Sequence, residues 1–551
     1  MTQQERNELA ELLYPNATLT TEQVEKMFPV RNLPEGAKVT RMAPSPTGFV
    51  HFGNLFPALT SERLAHQSGG VMMLRIEDTD AKRAVEGAVE IIINSLKHYN
   101  IIFDEGATLG EDVGIYGPYY QSRRADIYQA FAKKLIREGK AYPCFCTEEE
   151  LEQIHAQQEA AKENYGYYGK YAKYRDKTLD EIKAELATGK PFALRFRSEG
   201  NLNNKIPFDD IVKGHLEVTE NDIDHVLLKS DGIPTYHFAH AIDDHFMGTT
   251  HVIRGDEWLS TLPLHLQLFD ALGFEKLKYM HISPLMKMDG DSKRKLSKRK
   301  DPEAALTFYR EQGYPVLSVI DYVMMLLNSN YEEWRIQNPN APYTDFEFKA
   351  ENMSVSGSLF DIMKLNDVSK NIVSTMTADQ VYEYVCEWAQ EYDPEFAALL
   401  KADPEYATRI FAIGRGGEKP RKDIAVWSEA KAYMGFFYDS LYEITATLPE
   451  NIKKEDAVTI LEAYKNIYTP GKTQEEWFAD ITALAVENGF AAKPKEYKKN
   501  PDMYKGHVGD VSMILRIAVS GRQNSPDMYE IMEILGKERV IQRIDNALKT
   551  L

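Results

Sequence analysis

Cysteine is scarce, with three residues in 551: Cys144, Cys146 and Cys386. That excludes a disulfide framework and fits a reducing compartment, so a cytoplasmic location is expected. No apolar run approaches the roughly 20 residues that span a bilayer, so no membrane partner is expected. The first stretch, MTQQERNELAELLYP, has no basic lead followed by an apolar core, and a secretory signal is not expected. Internal repeats and low-complexity tracts are absent. Positive charge is also short: 65 Lys and Arg stand against 84 Asp and Glu, a net charge of −19 at pH 7. A nucleic-acid binder usually carries a basic footprint. The acidity therefore counts against RNA binding unless a local patch supplies it. Residues 287–300 form such a patch, with seven basic and two acidic residues.

What is present is organised around residues 39–80, VTRMAPSPTGFVHFGNLFPALTSERLAHQSGGVMMLRIEDTD. Residues 39–42 and 71–76 are short apolar runs that predict buried strands. Pro44, Pro46 and Gly48 break regular structure between them. A helix is expected over 54–66, closed by Gly69-Gly70. Strand, turn, helix and strand make half of a nucleotide-binding α/β sheet. His51-Phe52-Gly53-Asn54 stands where the loop enters the helix, where backbone N–H groups and the helix dipole favour phosphate. Gly53 lets a base or ribose approach the backbone, and His51 can donate to a phosphate oxygen. The dinucleotide fingerprint G-x-G-x-x-G is absent from this loop.

Length predicts about three to five domains. Residues 1–37 read as a polar lead with a short helix over 20–28, expected as a strap on the next domain, with partner docking as the alternative. A helix carrying Val85, Val89, Ile92, Ile93 and Leu96 on one face is expected next, then another over 122–137. Thr147 with Glu150 is a capping box that opens a helix. The sheet is expected to resume near Asp224, with strands at 225–229, 235–241 and 250–254. Asp243-Asp244-His245 is expected to brace a loop. Beyond residue 370 the pattern is amphipathic helix throughout. Ser525-Pro526 is expected to cap a helix that Gly536 stops. Cys386 reads as a buried apolar residue.

The loop His51-Phe52-Gly53-Asn54 and the distant Lys295-Leu296-Ser297-Lys298-Arg299 together resemble the paired HIGH and KMSKS signatures of class I aminoacyl-tRNA synthetases. The surrounding stretches Arg41-Met-Ala-Pro-Ser-Pro-Thr-Gly48, Arg75-Ile-Glu-Asp-Thr-Asp80, Gly117-Pro-Tyr-Tyr-Gln-Ser122, Leu228-Lys-Ser-Asp-Gly232, Pro234-Thr-Tyr-His237 and Asp243-Asp-His245 narrow the resemblance to glutamyl-tRNA synthetases of bacterial type. An all-helical second half fits that family, because glutaminyl-tRNA synthetases carry β-barrels there.

The resemblance implies a fold: an α/β Rossmann-like catalytic domain (38–122 and 221–286) after the lead 1–37. An inserted domain (123–220) would grip the tRNA acceptor end. A basic-loop and stem-contact region (287–369) and an all-α anticodon-binding region (370–551) would follow. It also implies a reaction, activation of L-glutamate by ATP with Mg²⁺ and transfer to the 3′ end of tRNA(Glu). His51, Gly53, Lys295 and Lys298 are the implied catalytic residues, and His51, Gly53, Asn54, Glu257 and Lys298 would hold ATP. The glutamate set is Arg41 for the side-chain carboxylate, Arg254 for the α-carboxylate and Glu77 for the amine, with Ala43, Ser45, Tyr236 and His240 around them. His240 stands where the family typically has Asn. Arg421, within Gly417-Glu-Lys-Pro-Arg-Lys-Asp423, is the implied anticodon contact. Some relatives bind zinc through Cys-x-Cys and later ligands. Here Cys144, Cys146 and Tyr167 remain but Tyr171 occupies the fourth place, so zinc is not expected. A monomer is expected. A form that also charges tRNA(Gln), and a non-catalytic tRNA-binding paralogue, stay open as alternatives.

Overall fold

The structure is a computed structural model and describes residues 1–48, 50–80, 82–297 and 299–551. Helices α1 (Gln3–Leu13) and α2 (Thr21–Met27) each begin at a capping box, Thr2 with Glu5 and Thr20 with Gln23. In each, a threonine oxygen and an acidic or amide side chain satisfy two orphan N–H groups reciprocally. Helix α1 was not expected, although T-x-x-E announces it in the sequence.

Strands β1 (Val39–Met42), β2 (Val71–Leu74) and β3 (Glu105–Gly106) form a parallel sheet, with Val39 beside Val71 and Met73 beside Glu105. Helix α3 (Leu55–Gln67) crosses between β1 and β2, and α4 (Ala88–His98) between β2 and β3. Helix α4 begins after Val85, because Gly87 takes a positive φ of 74° immediately before it. Then come α5 (Ala125–Arg137), β4 (Ala141–Cys144), α6 (Glu148–Ala161), α7 (Leu179–Ala187), β5 (Ala193–Phe196), the hairpin β6 (Lys205–Asp210) and β7 (Gly214–Thr219), and β8 (Val226–Leu228). The capping box at Thr147 and Glu150 opens α6 as read.

Two expectations fail here. Strand β8 does not resume the parallel sheet; it pairs antiparallel with β5, which pairs with β4. A three-residue apolar strand carries no mark of its partner, so only packing decides the sheet it joins. The strand expected over 235–241 is instead helix α8 (Tyr236–Phe246). Its Tyr, Phe and Thr are strand-prone, but Phe238, Ala239, Ile242 and Phe246 bury one helical face. Asp243, Asp244 and His245 lie on that helix.

The parallel sheet continues through β9 (His251–Gly255), which pairs with β10 (Lys278–Ile282) after helix α9 (Leu262–Leu272). Thr250 joins the two patches: its N–H donates to the Val39 carbonyl at 2.9 Å, and its Oγ1 accepts the Val39 N–H at 2.8 Å. The strand order is thus β3-β2-β1-β9-β10, and connections leave β1 and β9 in opposite directions. A crevice opens at the carboxyl ends of the strands at such a switch point. Strands β11 (Met286–Asp289) and β12 (Ser292–Lys295) form an antiparallel hairpin within the basic patch, a pairing the charge pattern did not announce.

The lead is built into this unit. Leu9, Ala10, Leu13, Val24 and Phe28 are buried. Lys133 of α5 reaches Glu11 at 2.7 Å and the Ala17 carbonyl at 3.0 Å. Arg31 donates to the Met247 carbonyl at 2.8 Å, just past α8. Residues 1–308 and 320–361 form this unit, and 309–319 with 362–551 form a second.

Among the described residues beyond Asp361 there is no β-strand. Helices there start at Thr377, Asp393, Asp403 and Thr473, each side chain accepting a free N–H of the first turn. Apolar stripes of these and the neighbouring helices, including Val381, Phe411, Ile460, Ile514 and Ile531, meet in one core, with Cys386 in it. Asp527, not Ser525, caps the last helix (Met528–Thr550), accepting from Tyr529 at 2.9 Å and Glu530 at 3.1 Å. A carboxylate suits the positive helix end better than a hydroxyl. Gly536 breaks that helix at φ 76°, but helical geometry resumes beyond it. No described helix is long and apolar enough to cross a membrane.

Asp243 shows what ties α8 to α5. It is fully buried and accepts from Arg124 Nε at 2.7 Å, Gln121 Nε2 at 2.9 Å and the Tyr128 hydroxyl at 2.8 Å. Asp243→Asn leaves the Arg124 charge buried without a counter-charge. It is expected to destabilise the first unit by about 3–5 kcal/mol, measured as a fall in its denaturant midpoint at fixed pH.

Candidate active site

A cleft of about 490 Å³ opens at the carboxyl ends of β1, β9 and β10. One wall is the loop after β1. The Gly53 N–H donates to His51 Nδ1 at 2.9 Å, and the His51 N–H donates to Asn54 Oδ1 at 2.8 Å. These two bonds fix the 3₁₀ turn Phe52–Asn54 that starts α3. Because Nδ1 of the neutral ring accepts, its proton sits on Nε2, which becomes a donor. A Cβ at Gly53 would lie 3.0 Å from His51 Nδ1, so glycine keeps both the ring seat and the open backbone. Asn54 acts here on the loop backbone.

The basic hairpin forms the facing wall. Lys295, opposite Met286 in the β11–β12 pair, lines the cleft, and buried Leu296 donates its N–H to the Leu285 carbonyl at 2.9 Å. Asp301 anchors the far side of the basic loop. It accepts from Arg294 at 2.6 and 2.8 Å and from the Ser297 N–H at 2.8 Å, with Lys287 at 3.3 Å. These donors, Arg294 foremost, hold its carboxyl well below the usual range. Lys298 lies outside the described residues.

The floor is a buried charge network. Arg75 and Glu77 follow β2, and their N–H groups donate to the Met42 and Pro44 carbonyls, each at 3.0 Å, which seats them under the loop. Asp244 of α8, wholly buried, accepts from Arg41 Nε at 3.1 Å, Arg75 Nη1 at 2.6 Å and the Thr249 hydroxyl at 3.2 Å. Burial alone would raise its pKa, but Arg41, Arg75 and His240 hold it well below the carboxylate range. Arg75 also donates to Glu77 at 3.1 Å. Glu77 is pushed up to about 6, because burial outweighs the pull of Arg75 and Arg41. Burial, and after it the charge of Glu77, raises the Tyr236 hydroxyl.

Arg41, Ala43, His51, Gly53, Asn54, Glu77, Tyr236, Arg254, Glu257 and Lys295 all line this one cleft. Ser45 is exposed and does not. His240 does not reach it either: it is fully buried behind Tyr236, the rings stacked at 5.7 Å, with Nε2 2.9 Å from the Tyr279 hydroxyl. Burial lowers its pKa to about 4. The expectation that His240 lies in the first layer around the substrate is thereby corrected; one helical turn separates it from Tyr236, and the turn points inward. Three further residues were not named as site candidates from the sequence. Trp258 lines the cleft, packed 4.4 Å from the Tyr236 ring. Arg75 and Asp244 make the floor. The spacing 236, 240, 244 marks one helical face and would have found Asp244, had the segment been read as helix.

Arg421, in the second unit, is half-exposed and makes a bidentate pair with Asp423 at 2.6 and 2.8 Å. The donors around the Cys-x-Cys do not fit zinc. The Tyr171 hydroxyl donates to Glu163 at 2.6 Å, and the Tyr167 hydroxyl accepts the Tyr174 N–H at 3.1 Å and lies 3.7 Å from Cys146 Sγ. Among the described residues no group of three or more His, Cys, Asp or Glu is placed to hold a metal ion.

Comparison with known proteins gives the family of the chain. The family model for tRNA synthetases class I (E and Q), catalytic domain, matches residues 38–367, and that for an anticodon binding domain matches 380–548. A glutamate–tRNA ligase of Acetivibrio thermocellus is 52% identical over 541 residues, covering 98% of this chain and 99% of its own. One of Clostridium perfringens is 49% identical over 542 residues, covering 97% and 99%. The crystal structure of a glutamate tRNA ligase from Elizabethkingia meningosepticum, in complex with its amino acid, is 30% identical with a TM-score of 0.74, covering 93% of this chain and 99% of that one. The lead is therefore shared with relatives such as these two ligases, which align along almost the whole chain. Two family models in order, and identity near one half from end to end, mean that this chain belongs to the glutamate–tRNA ligases, among the class I tRNA synthetases.

Proposed function

We propose that the cleft activates L-glutamate with Mg²⁺-bound ATP and that the chain then esterifies the 3′ end of tRNA(Glu) in the cytoplasm. The observation that carries this reading is the charge of one cleft. Arg41, Arg254 and Lys295 line it with Glu77 and Glu257, and Arg75 and Asp244 in the floor beneath offset each other, leaving one positive charge. Glutamate, with two carboxylates and one ammonium, carries one negative charge. Arg254 and Arg41 would take its carboxylates, Glu77 its ammonium, and Tyr236 would wall the side chain.

A glutamate α-carboxylate oxygen attacks the α-phosphorus. That P–O bond forms as the bond to the bridging oxygen breaks, and pyrophosphate leaves. The terminal ribose hydroxyl then attacks the acyl carbon while its proton passes to the departing phosphate, and AMP leaves with the electrons of the acyl C–O bond. Neither step needs a protein nucleophile. Both need aligned reactants and donors where negative charge grows. His51 Nε2–H and the Gly53 backbone would serve the ATP side, with Glu257 beside them. Lys295 and Lys298 would meet the triphosphate. Arg421 is the proposed anticodon contact, already oriented by Asp423.

ATP–pyrophosphate exchange tests the reading. Exchange is expected with glutamate and tRNA(Glu) together; none under any condition, from folded protein that binds tRNA, would overturn it. Lys295→Ala is expected to lower the exchange rate about a hundredfold while tRNA affinity, from filter binding, stays put. Arg254→Ala is expected to raise the KM for glutamate between about thirtyfold and a thousandfold, with the KM for ATP nearly unchanged.

Glu77 gives a pH signature. Its acid form persists up to about 6, and only the carboxylate attracts an ammonium. The proton and the substrate compete, so KM for glutamate is expected to rise as pH falls below about 6, by up to about tenfold per unit. Glu77→Gln should give a high KM that no longer varies across pH 5–7.

A further inference from the structure

Arg254 differs from the other two guanidiniums in what holds it. Arg41 and Arg75 both end on the Asp244 carboxylate. Arg254 is equally buried, 5% exposed against 4% for Arg41, yet among the described residues no carboxylate pairs with it. Its Nε–H donates to His281 Nε2 at 2.9 Å, and its Nη1 stands 3.0 Å from His265 Nδ1. Its Nη2 donates to the Trp258 carbonyl at 3.4 Å, and its guanidinium carbon lies 4.7 Å from the Tyr279 ring centroid. A buried cation is ordinarily matched by a carboxylate. This one is matched by two imidazoles, a carbonyl and a ring face.

A guanidinium only donates. Both imidazole nitrogens that face it must therefore accept, and each ring must carry its proton on the far nitrogen. Both far nitrogens have partners suited to that. His281 Nδ1 is 2.6 Å from Asp210 Oδ2, at the end of β6, and His265 Nε2 is 2.9 Å from His237 Nδ1. One tautomer of each ring satisfies all its contacts. Burial also lowers both rings below the usual imidazole range, and Arg254 adds to the effect.

We propose that His265 and His281 are positioning residues for glutamate recognition, neutral acceptors that aim Arg254 without cancelling its charge. This rests on the reading of the cleft as a glutamate site. A carboxylate in either place would orient the guanidinium as well, but it would compete with the substrate carboxylate for the same charge. Arg41 already shares its charge with Asp244, so among the described residues Arg254 is the guanidinium lining the cleft that no protein carboxylate pairs with. Asp210 and His237 take part by fixing which nitrogen of each ring accepts.

Two substitutions of nearly equal shape separate charge from structure. In the full chain, His265→Asn keeps a neutral acceptor at the Nδ1 position, and His265→Asp puts a carboxylate there. The KM values for glutamate and ATP are measured by tRNA-dependent exchange. The expected result is a glutamate KM within about threefold of the unsubstituted chain for Asn and at least tenfold higher for Asp, with the KM for ATP unmoved in both. In an Arg254→Ala background the difference between Asn and Asp should vanish, since both act through Arg254. Equal glutamate KM values for the two variants, or a difference that survives Arg254→Ala, would overturn the proposal. If neither His265 variant folds by circular dichroism, His281→Gln and His281→Glu are compared in the same way, because Gln Oε1 can replace the accepting Nε2. An unsubstituted chain inactive with glutamate would instead remove the functional reading, and this proposal with it.

Discussion

A carboxylate without any solvent contact, Asp244, is the constraint on which the catalytic unit turns. Alone it could not stay ionised there, and Arg41 and Arg75 could not be buried alone either. Together they lock β1, the end of β2 and helix α8 into one arrangement, because each contributes one member. Breaking any one strands a charge in a region of low dielectric, so the three elements keep their relative positions more firmly than apolar packing would require. Asp243, the preceding residue, does the same on another buried face of the helix with Arg124. Helix α8 is thus pinned on two faces by adjacent carboxylates, and the lead reinforces it through Arg31 at its end.

That rigidity matters because the proposed chemistry has no covalent protein step. A site that works by position and field must hold its donors before the substrates arrive. The His51 loop meets this requirement with bonds internal to the loop. The basic hairpin meets it through Asp301, which gathers Arg294, Lys287 and the Ser297 N–H. The inserted β6–β7 hairpin also reaches the cleft: Asp210 bonds His281, and Lys213 lies 3.3 Å from Asp256 and contacts Ser283. The support of Arg254 therefore comes partly from a segment that interrupts the sheet in sequence.

How much of this could be read beforehand depended on the range of the interaction involved. The first strand–loop–helix–strand unit was legible because its cues are local: apolar runs, prolines, a glycine pair and a polar turn. The capping box at Thr147 was legible for the same reason. Ten of the residues named as site candidates from the sequence share one cleft, which the motifs implied and the switch point of the sheet explains. Helix α8 was misread because its β-prone side chains outweighed a helical spacing that shows itself only when the buried face is known. Strand β8 was assigned to the wrong sheet because strand pairing is non-local. Ser525 was preferred to Asp527 as a cap because both are good caps and only the backbone path chooses between them.

By itself, the amino-acid sequence determined the class of fold, the helical C-terminal region, the His51 loop at the head of a helix and the basic loop. Each depends on residue types within a few positions of one another. Tertiary structure alone decided that Asp244 joins two arginines, that His240 turns away from the cleft and that Arg254 rests on histidines. Those outcomes depend on which charges and rings become buried together across two hundred residues of chain. Burial is what converts a polar side chain from a solvated surface group into one that must find a partner, and no local pattern records where that partner will be.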